Sequence, residues 1–252
     1  MRRMSAKIKN PKSQIKNSEL KPRSLSIWLL VIVWSLVLGV WSFTYAAPCY
    51  GTKLPKRNKF FANFESYSLF KKYLENSQGT MRSQQQFYGM SYGIFDWFSI
   101  DLKAGGGNIK QHPLTSDEVT YPSSFAGGYG LRVKFLEKNN WRMVFGFQHI
   151  SVHPKSVDLG EIKNKAILDD WQTSLLVSYD IKKFSPYVGT RWSRIDYIHT
   201  ANGNKKRSMS DFTKDIGFIY GINIPITERF WLNLEGQAID SDAFAGSINY
   251  SF

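Results

Sequence analysis

Residues 125–135 read Phe-Ala-Gly-Gly-Tyr-Gly-Leu-Arg-Val-Lys-Phe. In an extended chain Phe125, Gly127, Tyr129, Leu131, Val133 and Phe135 share one face, and Ala126, Gly128, Gly130, Arg132 and Lys134 share the other. A period of two is the pattern of a strand with one apolar face. Two more segments repeat it. Trp171, Thr173, Leu175, Val177 and Tyr179 alternate with Gln172, Ser174, Leu176, Ser178 and Asp180, and Phe230, Leu232, Leu234, Gly236 and Ala238 alternate with Trp231, Asn233, Glu235, Gln237 and Ile239.

Extended along the chain, this reading gives about ten strands, near 59–67, 84–94, 98–110, 125–135, 141–151, 170–180, 186–198, 212–224, 229–240 and 244–252. The first is the least distinct, because Phe60, Phe61, Phe64, Tyr67, Phe70 and Leu74 also suit an amphipathic helix. The connections alternate in length. Short turns at 95–97, 136–140, 181–185 and 225–228 are interleaved with longer polar connections at 68–83, 111–124, 152–169 and 199–211, with 241–243 a short exception. Short turns at one end and longer loops at the other characterise transmembrane barrels. Strands of about ten residues suit a tilted bilayer crossing. Phe95, Trp97, Phe98, Trp141, Phe184, Tyr187, Phe230, Trp231, Tyr250 and Phe252 gather by the short turns as an interfacial girdle would. Hydrocarbon cannot satisfy an open sheet edge, so such a sheet closes. The expected fold is therefore all-β: a closed antiparallel transmembrane β-barrel of about ten strands, with eight as the alternative, over residues 59–252. An even count places both termini on the periplasmic side.

The chain ends Phe244-Ala-Gly-Ser-Ile-Asn-Tyr-Ser-Phe252, an alternating strand with a terminal aromatic. This resembles the last strand of bacterial outer-membrane β-barrel proteins, and over roughly residues 58–252 the chain is similar to small barrels of the opacity-protein kind. The resemblance implies that Tyr250 and Phe252 act as a signal read by the barrel-assembly machinery. It also implies a monomer in the cell outer membrane, in contact with outer-membrane lipid and lipopolysaccharide.

The 252 residues carry 33 Lys and Arg against 20 Asp and Glu, a net charge of +13. More than half of that excess lies at the start, where Arg2, Arg3, Lys7, Lys9, Lys12, Lys16, Lys21 and Arg23 face only Glu19. Residues 25–45 follow without a charge, and Thr44-Tyr45-Ala46-Ala47 closes the run. Basic, apolar and then small residues are the order of a secretory signal peptide. Residues 1–46 are expected to be a cleaved leader and 47–58 a short N-terminal segment, although the apolar run is also long enough for a retained anchor. The single cysteine, Cys49, excludes a disulfide scaffold and a multi-cysteine metal site. Pro48 before it argues against lipidation. With the basic excess concentrated in a leader, no nucleic-acid partner is expected.

Inward positions under this register include Glu65, Asp101, Asp180, Asp215 and Glu235, together with Lys103, Arg132, Lys134, Arg142 and Arg191. Mixed charges of this kind pair and fill a narrow lumen, whereas a ring of one sign would have pointed to ion selectivity. The leading expectation is a structural or surface-interaction barrel, or a narrow pore, without catalysis. Gly105-Gly106-Gly107 lacks the following Lys-Ser/Thr of a phosphate loop and reads as a bend or close approach in a strand. Lys205-Lys206-Arg207 is a basic loop cluster suited to solvent or to anionic lipopolysaccharide.

One segment suggests chemistry. In Phe147-Gln148-His149-Ile150-Ser151, the register puts Phe147, His149 and Ser151 on the lipid face, and Asp169 shares that face at the start of the next strand. A His base, a Ser nucleophile and a carboxylate orienter make up a hydrolytic triad. The arrangement resembles that of outer-membrane lipid A 3-O-deacylases, which carry an outward His-x-Ser and a downstream Glu. Here Val152 replaces the Asn usual after the Ser, the acid is Asp, and Glu161 is a rival. The alternative function is thus lipid A deacylase-like hydrolysis in the outer leaflet by His149, Ser151 and Asp169. His112, His153 and His199 are too scattered for a metal site, so neither metal nor cofactor is expected.

Overall fold

The computed structural model describes residues 50–75 and 78–252; the expected leader and Cys49 lie outside them. The strands are β1 (Phe60–Tyr73), β2 (Thr80–Phe95), β3 (Phe98–His112), β4 (Val119–Lys138), β5 (Trp141–His153), β6 (Val157–Leu159), β7 (Ile162–Tyr179), β8 (Ser185–Ala201), β9 (Asn204–Met209), β10 (Ile216–Pro225), β11 (Phe230–Ala238) and β12 (Ser241–Ser251). Omitting the short β6 and β9, ten strands pair antiparallel in sequence, and β12 returns to β1 with Phe61 opposite Ser251. The sheet is a closed ten-stranded antiparallel barrel, the architecture of bacterial outer-membrane barrels. Both its ends and its short turns lie at one rim, here called the lower.

The upper rim is closed by fewer strands. β10, β11 and β12 have 10, 9 and 11 residues, whereas β4, β7 and β8 have 20, 18 and 17. Above the short strands β9 folds back on β8, and its end reaches across to β1. Leu74 bridges Ser210, Glu75 N donates to Met209 O at 2.9 Å, and Asp211 N donates to Tyr73 O at 3.1 Å. Eight strands therefore encircle the upper part, while ten encircle the lower.

Polarity reverses along the barrel on both faces at the same level. On β2 the outward residues are apolar from Tyr88 and Met90 downward but are Gln86, Gln84 and Arg82 above. On β5 the outward Phe145 and Phe147 give way to His149, Ser151 and His153, and on β7 Leu175 and Trp171 give way to Asp169, Lys165 and Lys163. Inside, the change runs the other way. Glu65, Lys103, Gln148, Gln172 and Ser193 lie below, and Tyr67, Ile109, Ile150, Leu168 and Ile195 lie above in one buried apolar cluster with Met81, Phe87, Tyr121 and Tyr197. The lower part is apolar outside, as hydrocarbon demands, and the upper part is polar outside and apolar inside, as water demands. On β5 the outward belt from Trp141 to His149 spans about 27 Å of strand, which a tilt of about 40° projects to about 20 Å, close to a bilayer's apolar thickness at a barrel wall.

This reversal corrects the expected outer loops. Residues 68–83, 111–124, 152–169 and 199–211 are largely strand, and they form a head above the belt. The charged interior is corrected too: ion pairs fill the lower lumen, and an apolar core fills the head. Residues 60–73 are strand rather than helix, and outward rings of β1 meet neighbours across the sheet, Phe60 on Tyr92 and Phe64 on Tyr88.

The lower mouth is stoppered by the N-terminal segment. Arg132 Nη1 donates to the carbonyls of Tyr50 at 2.9 Å and Lys53 at 2.5 Å, and Lys103 Nζ lies 4.1 Å from the Tyr50 ring centre. Gly51 and Thr52 are buried, and the chain leaves along the wall where Asn58 N donates to Gly93 O. Gly93 makes room for it: a Cβ there would lie 2.2 Å from Lys56 O.

Candidate functional site

Site residues at the upper edge of the belt come from adjacent strands in direct register. Ser151 of β5 stands opposite Asp169 of β7, which stands opposite Asp196 of β8. All three point outward by strand parity. The Ser151 hydroxyl donates to Asp169 Oδ1. Ser151 Oγ is also 2.8 Å from His153 Nε2. His149 Nε2 lies 3.8 Å from the same Asp169 Oδ1, too far for a hydrogen bond but close enough for a charge to be felt.

His149 is held by rings. Its imidazole centre is 4.0 Å from Trp171 and 5.4 Å from Tyr129. The His153 ring lies 6.3 Å from Phe125, its cross-strand neighbour. Arg207 of β9 ion-pairs with Asp196, so the row of outward carboxylates is partly neutralised at one end. A groove of about 300 Å³ opens above His153 between Lys165, Ile167, Ile198 and Thr200.

The candidates named from sequence, His149, Ser151 and Asp169, are therefore together on one face. The histidine in contact with Ser151, however, is His153 and not His149. The sequence reading missed His153 because it ended the strand at residue 151. One more step of the same alternation, His-x-Ser-x-His, places it on the shared face. The rival Glu161 lies in the tight β6–β7 turn and is exposed. Chemically, the cluster supplies a hydroxyl, an imidazole within hydrogen-bonding reach and a carboxylate, all facing the level where acyl chains meet headgroups.

Most of the expected lumen charges are buried inside. Lys103 pairs with Glu65 at 3.0 Å and Arg132 with Asp101 at 2.7 Å. Glu235 accepts from the Tyr187 hydroxyl, and Asp215 lies buried beside Ser210 and Arg194. Arg191 pairs with Asp240, which the sequence analysis places at the end of the strand 229–240 and the structure in the turn between β11 and β12. Lys134, Arg142 and Asp180 sit at the lower mouth and are partly exposed, chained through Glu137. Lys72 and Asp170 are further buried charges that the reading missed. Both belong to stretches it had treated as loop or strand end. At the lower rim Tyr250 packs on Phe230 at 4.6 Å and edge-on to Phe252 at 4.8 Å, and Phe252 remains exposed.

No protein-family model matches the chain, and no curated protein does. Solved structures do. The outer membrane protease OmpT from Escherichia coli is 12% identical with a TM-score of 0.41, over 80% of this chain and 99% of that one. Ail of Yersinia pestis is 10% identical with a TM-score of 0.39, over 77% and 99%. OprG from Pseudomonas aeruginosa is 9% identical with a TM-score of 0.41, over 79% and 98%. At such identities the likeness is one of fold.

Proposed function

We propose that this is an integral outer-membrane barrel whose lumen does not conduct and whose chemistry is on its outer wall, where Ser151 hydrolyses an acyl ester of an outer-leaflet lipid. The observation that carries this reading is the 2.8 Å contact between Ser151 Oγ and His153 Nε2 at the upper edge of the apolar belt. The serine hydroxyl turns its one proton from Asp169 to His153 Nε2, and attack by Oγ on the ester carbonyl passes that proton to His153. Asp169 balances the charge of the imidazolium, which then protonates the departing alcohol. Water, deprotonated by His153, releases the fatty acid and restores the serine. The acyl chain lies along Phe147, Phe145 and Leu175, an outward apolar track directly below the serine.

The interior supports the same reading. The Tyr50–Lys56 segment occupies the lower mouth, and Phe87, Tyr121 and Tyr197, each no more than 1% exposed, fill the head. Mass spectrometry of outer-membrane lipids from cells expressing wild type, Ser151→Ala or His153→Gln tests the proposal. Loss of acyl chains with wild type alone is expected, and identical acyl patterns in all three would overturn it. The self-contained apolar core of the head favours a second reading, a non-catalytic barrel that displays the head at the cell surface, and those identical patterns would support it.

A further inference from the structure

The Gly105-Gly106-Gly107 run and the Gln84-Gln85-Gln86 run, both unexplained by the Ser151 chemistry, meet on the outer wall of the head. Gln86 is opposite Gly106 and Ser66, and Ser68 is opposite Gln84. The β3–β4 ladder shifts register just above this point, between Gly107 and Ile109, while the β2–β3 ladder keeps its register from Arg82–Lys110 to Gln85–Gly107. Irregular pairing of this kind re-aims side chains and commonly borders functional surfaces. Asn108 sits in the irregular stretch, and its Oδ1 accepts from Gln84 N at 2.7 Å, which fixes the side chain across the seam. With no side chain at Gly106, a groove of about 390 Å³ opens between Ser66, Ser68, Gln84, Gln86, Asn108 and Ser123.

Its chemistry is narrow. Every one of these six side chains is a neutral amide or hydroxyl, together offering donors and acceptors in both directions. Tyr67, Gln85 and Gly106 complete the lining, and among the described residues no charged side chain belongs to it. Two exposed rings flank its lower edge, Tyr88 at 73% and Phe125 at 59% exposure. An anionic headgroup finds no cation among these residues, and an acyl chain finds no apolar surface beyond the Tyr67 ring. A ring of hydroxyls finds amides that bond both as donor and acceptor, with aromatic faces for its C–H edge.

We propose that this groove binds a neutral saccharide, either free or as the headgroup of a glycolipid in the adjacent leaflet. The site is separate from Ser151, so its fate is independent of the hydrolase reading.

The test uses the full barrel in detergent and in nanodiscs, with wild type compared with Gln84→Ala/Gln86→Ala. Both glutamines are exposed, so the change leaves the core intact; a Gly106→Ala variant serves as a second probe, since its Cβ would meet Ser124 O at 3.1 Å and Ser123 Oγ at 3.3 Å and shallow the groove. Saturation-transfer NMR is run with maltotriose, with N-acetylglucosamine trimer and with a sialylated trisaccharide. Nanodiscs with and without galactosyl diacylglycerol then report lipid-borne sugar. Saturation of at least one neutral trisaccharide, weakened about tenfold or more by the double substitution, is the expected result for a free ligand. A signal confined to the galactolipid nanodiscs, and lost in the same variant, assigns the headgroup form. No neutral sugar bound in either medium, or equal binding by wild type and both variants, or preference for the sialylated probe, overturns the proposal.

Discussion

Lys72 Nζ lies 3.2 Å from Asp240 Oδ2, and neither side chain is more than 1% exposed. Arg191 binds the same carboxylate oxygen, so one acid holds two cations at the level where the interior changes from charged to apolar. Lys72 also donates to Ser193 O at 3.2 Å, tying β1 to β8 across the lumen. Removing the acid leaves two buried cations. Asp240→Ala is expected to cost about 3–5 kcal/mol, and Lys72→Met, which leaves the Arg191 pair, distinctly less. Urea midpoints of the folded barrel, followed by its heat-modifiable gel band, rank the two. An Asp240→Ala barrel as stable as wild type would remove this network from the account of the junction.

Asp240 is aimed inward by a strained neighbour. Ile239 at the β11–β12 turn has φ of +84°, a conformation hostile to a β-branched side chain, and it is exposed, so nothing in the packing repays it. Ile239→Gly is expected to stabilise the barrel by about 1 kcal/mol, since glycine adopts that backbone freely. A thermal melt that falls rather than rises would mean that the Ile side chain makes a contact in lipid that outweighs the strain.

The polarity reversal makes position along a strand decide the cost of a charge. Phe145→Arg, midway along the outward belt of β5, is expected to cost about 2–4 kcal/mol, as cations do at mid-depth on the lipid face of barrels. Gln86→Arg, outward but above the belt on β2, is expected to change stability by no more than about 0.5 kcal/mol. Inside, the order inverts: Tyr197→Ala in the head removes a buried ring and is expected to cost about 3–5 kcal/mol. Folding into lipid vesicles at graded urea measures all three, and similar costs for Phe145→Arg and Gln86→Arg would place the belt edge elsewhere.

Parity explains what was legible in the sequence. Phe125 to Phe135, Trp171 to Tyr179 and Phe230 to Ala238 alternate with apolar residues outward, and a rule tuned to the membrane finds them. Lys163, Lys165 and Asp169, with Ile167 the apolar exception, alternate with the buried Asn164, Ala166 and Leu168, so here the more apolar set points inward. To the same rule such a stretch looks like polar loop. Most of the strand length overlooked by that rule lies where the surroundings are water, although 84–87, 105–110 and 194–198 were found there. His153 fell two residues beyond an expected strand end, and Lys72 five. The pairing of Arg132 with Tyr50 and Lys53 was beyond reach for another reason: no periodicity links a coil segment to a side chain 79 residues away.

The stopper gives an accessibility prediction. Ser174 lines the lumen just beyond Tyr50 and Gly51. In a Cys49→Ser background, Ser174→Cys is expected to resist a charged maleimide in the intact barrel and to react once residues 50–56 are deleted. Planar-bilayer conductance is expected to stay at baseline in both forms, because the apolar core of the head remains. Ion currents after the deletion would show that the head core does not seal the barrel.

The proposed hydrolysis gives the two histidines beside Ser151 different roles. His153 Nε2 touches Oγ, whereas His149 lies 3.8 Å from Asp169 between Trp171 and Tyr129. If His153 moves the proton, His153→Gln lowers kcat on an ester lipid by about 10²–10⁴-fold, the usual worth of a positioned base. His149→Gln acts only by way of the carboxylate, so its loss is expected to be about tenfold or less, with the pH profile shifted rather than flattened. Ser151→Ala and the double Ser151→Ala/His153→Gln variant are expected to be equally inactive, since residues that act as a unit do not add. The decisive comparison is kcat for the two single histidine variants in the same mixed micelles. A larger loss with His149→Gln than with His153→Gln would return the base to His149 and require Asp169 to swing between them in the working enzyme.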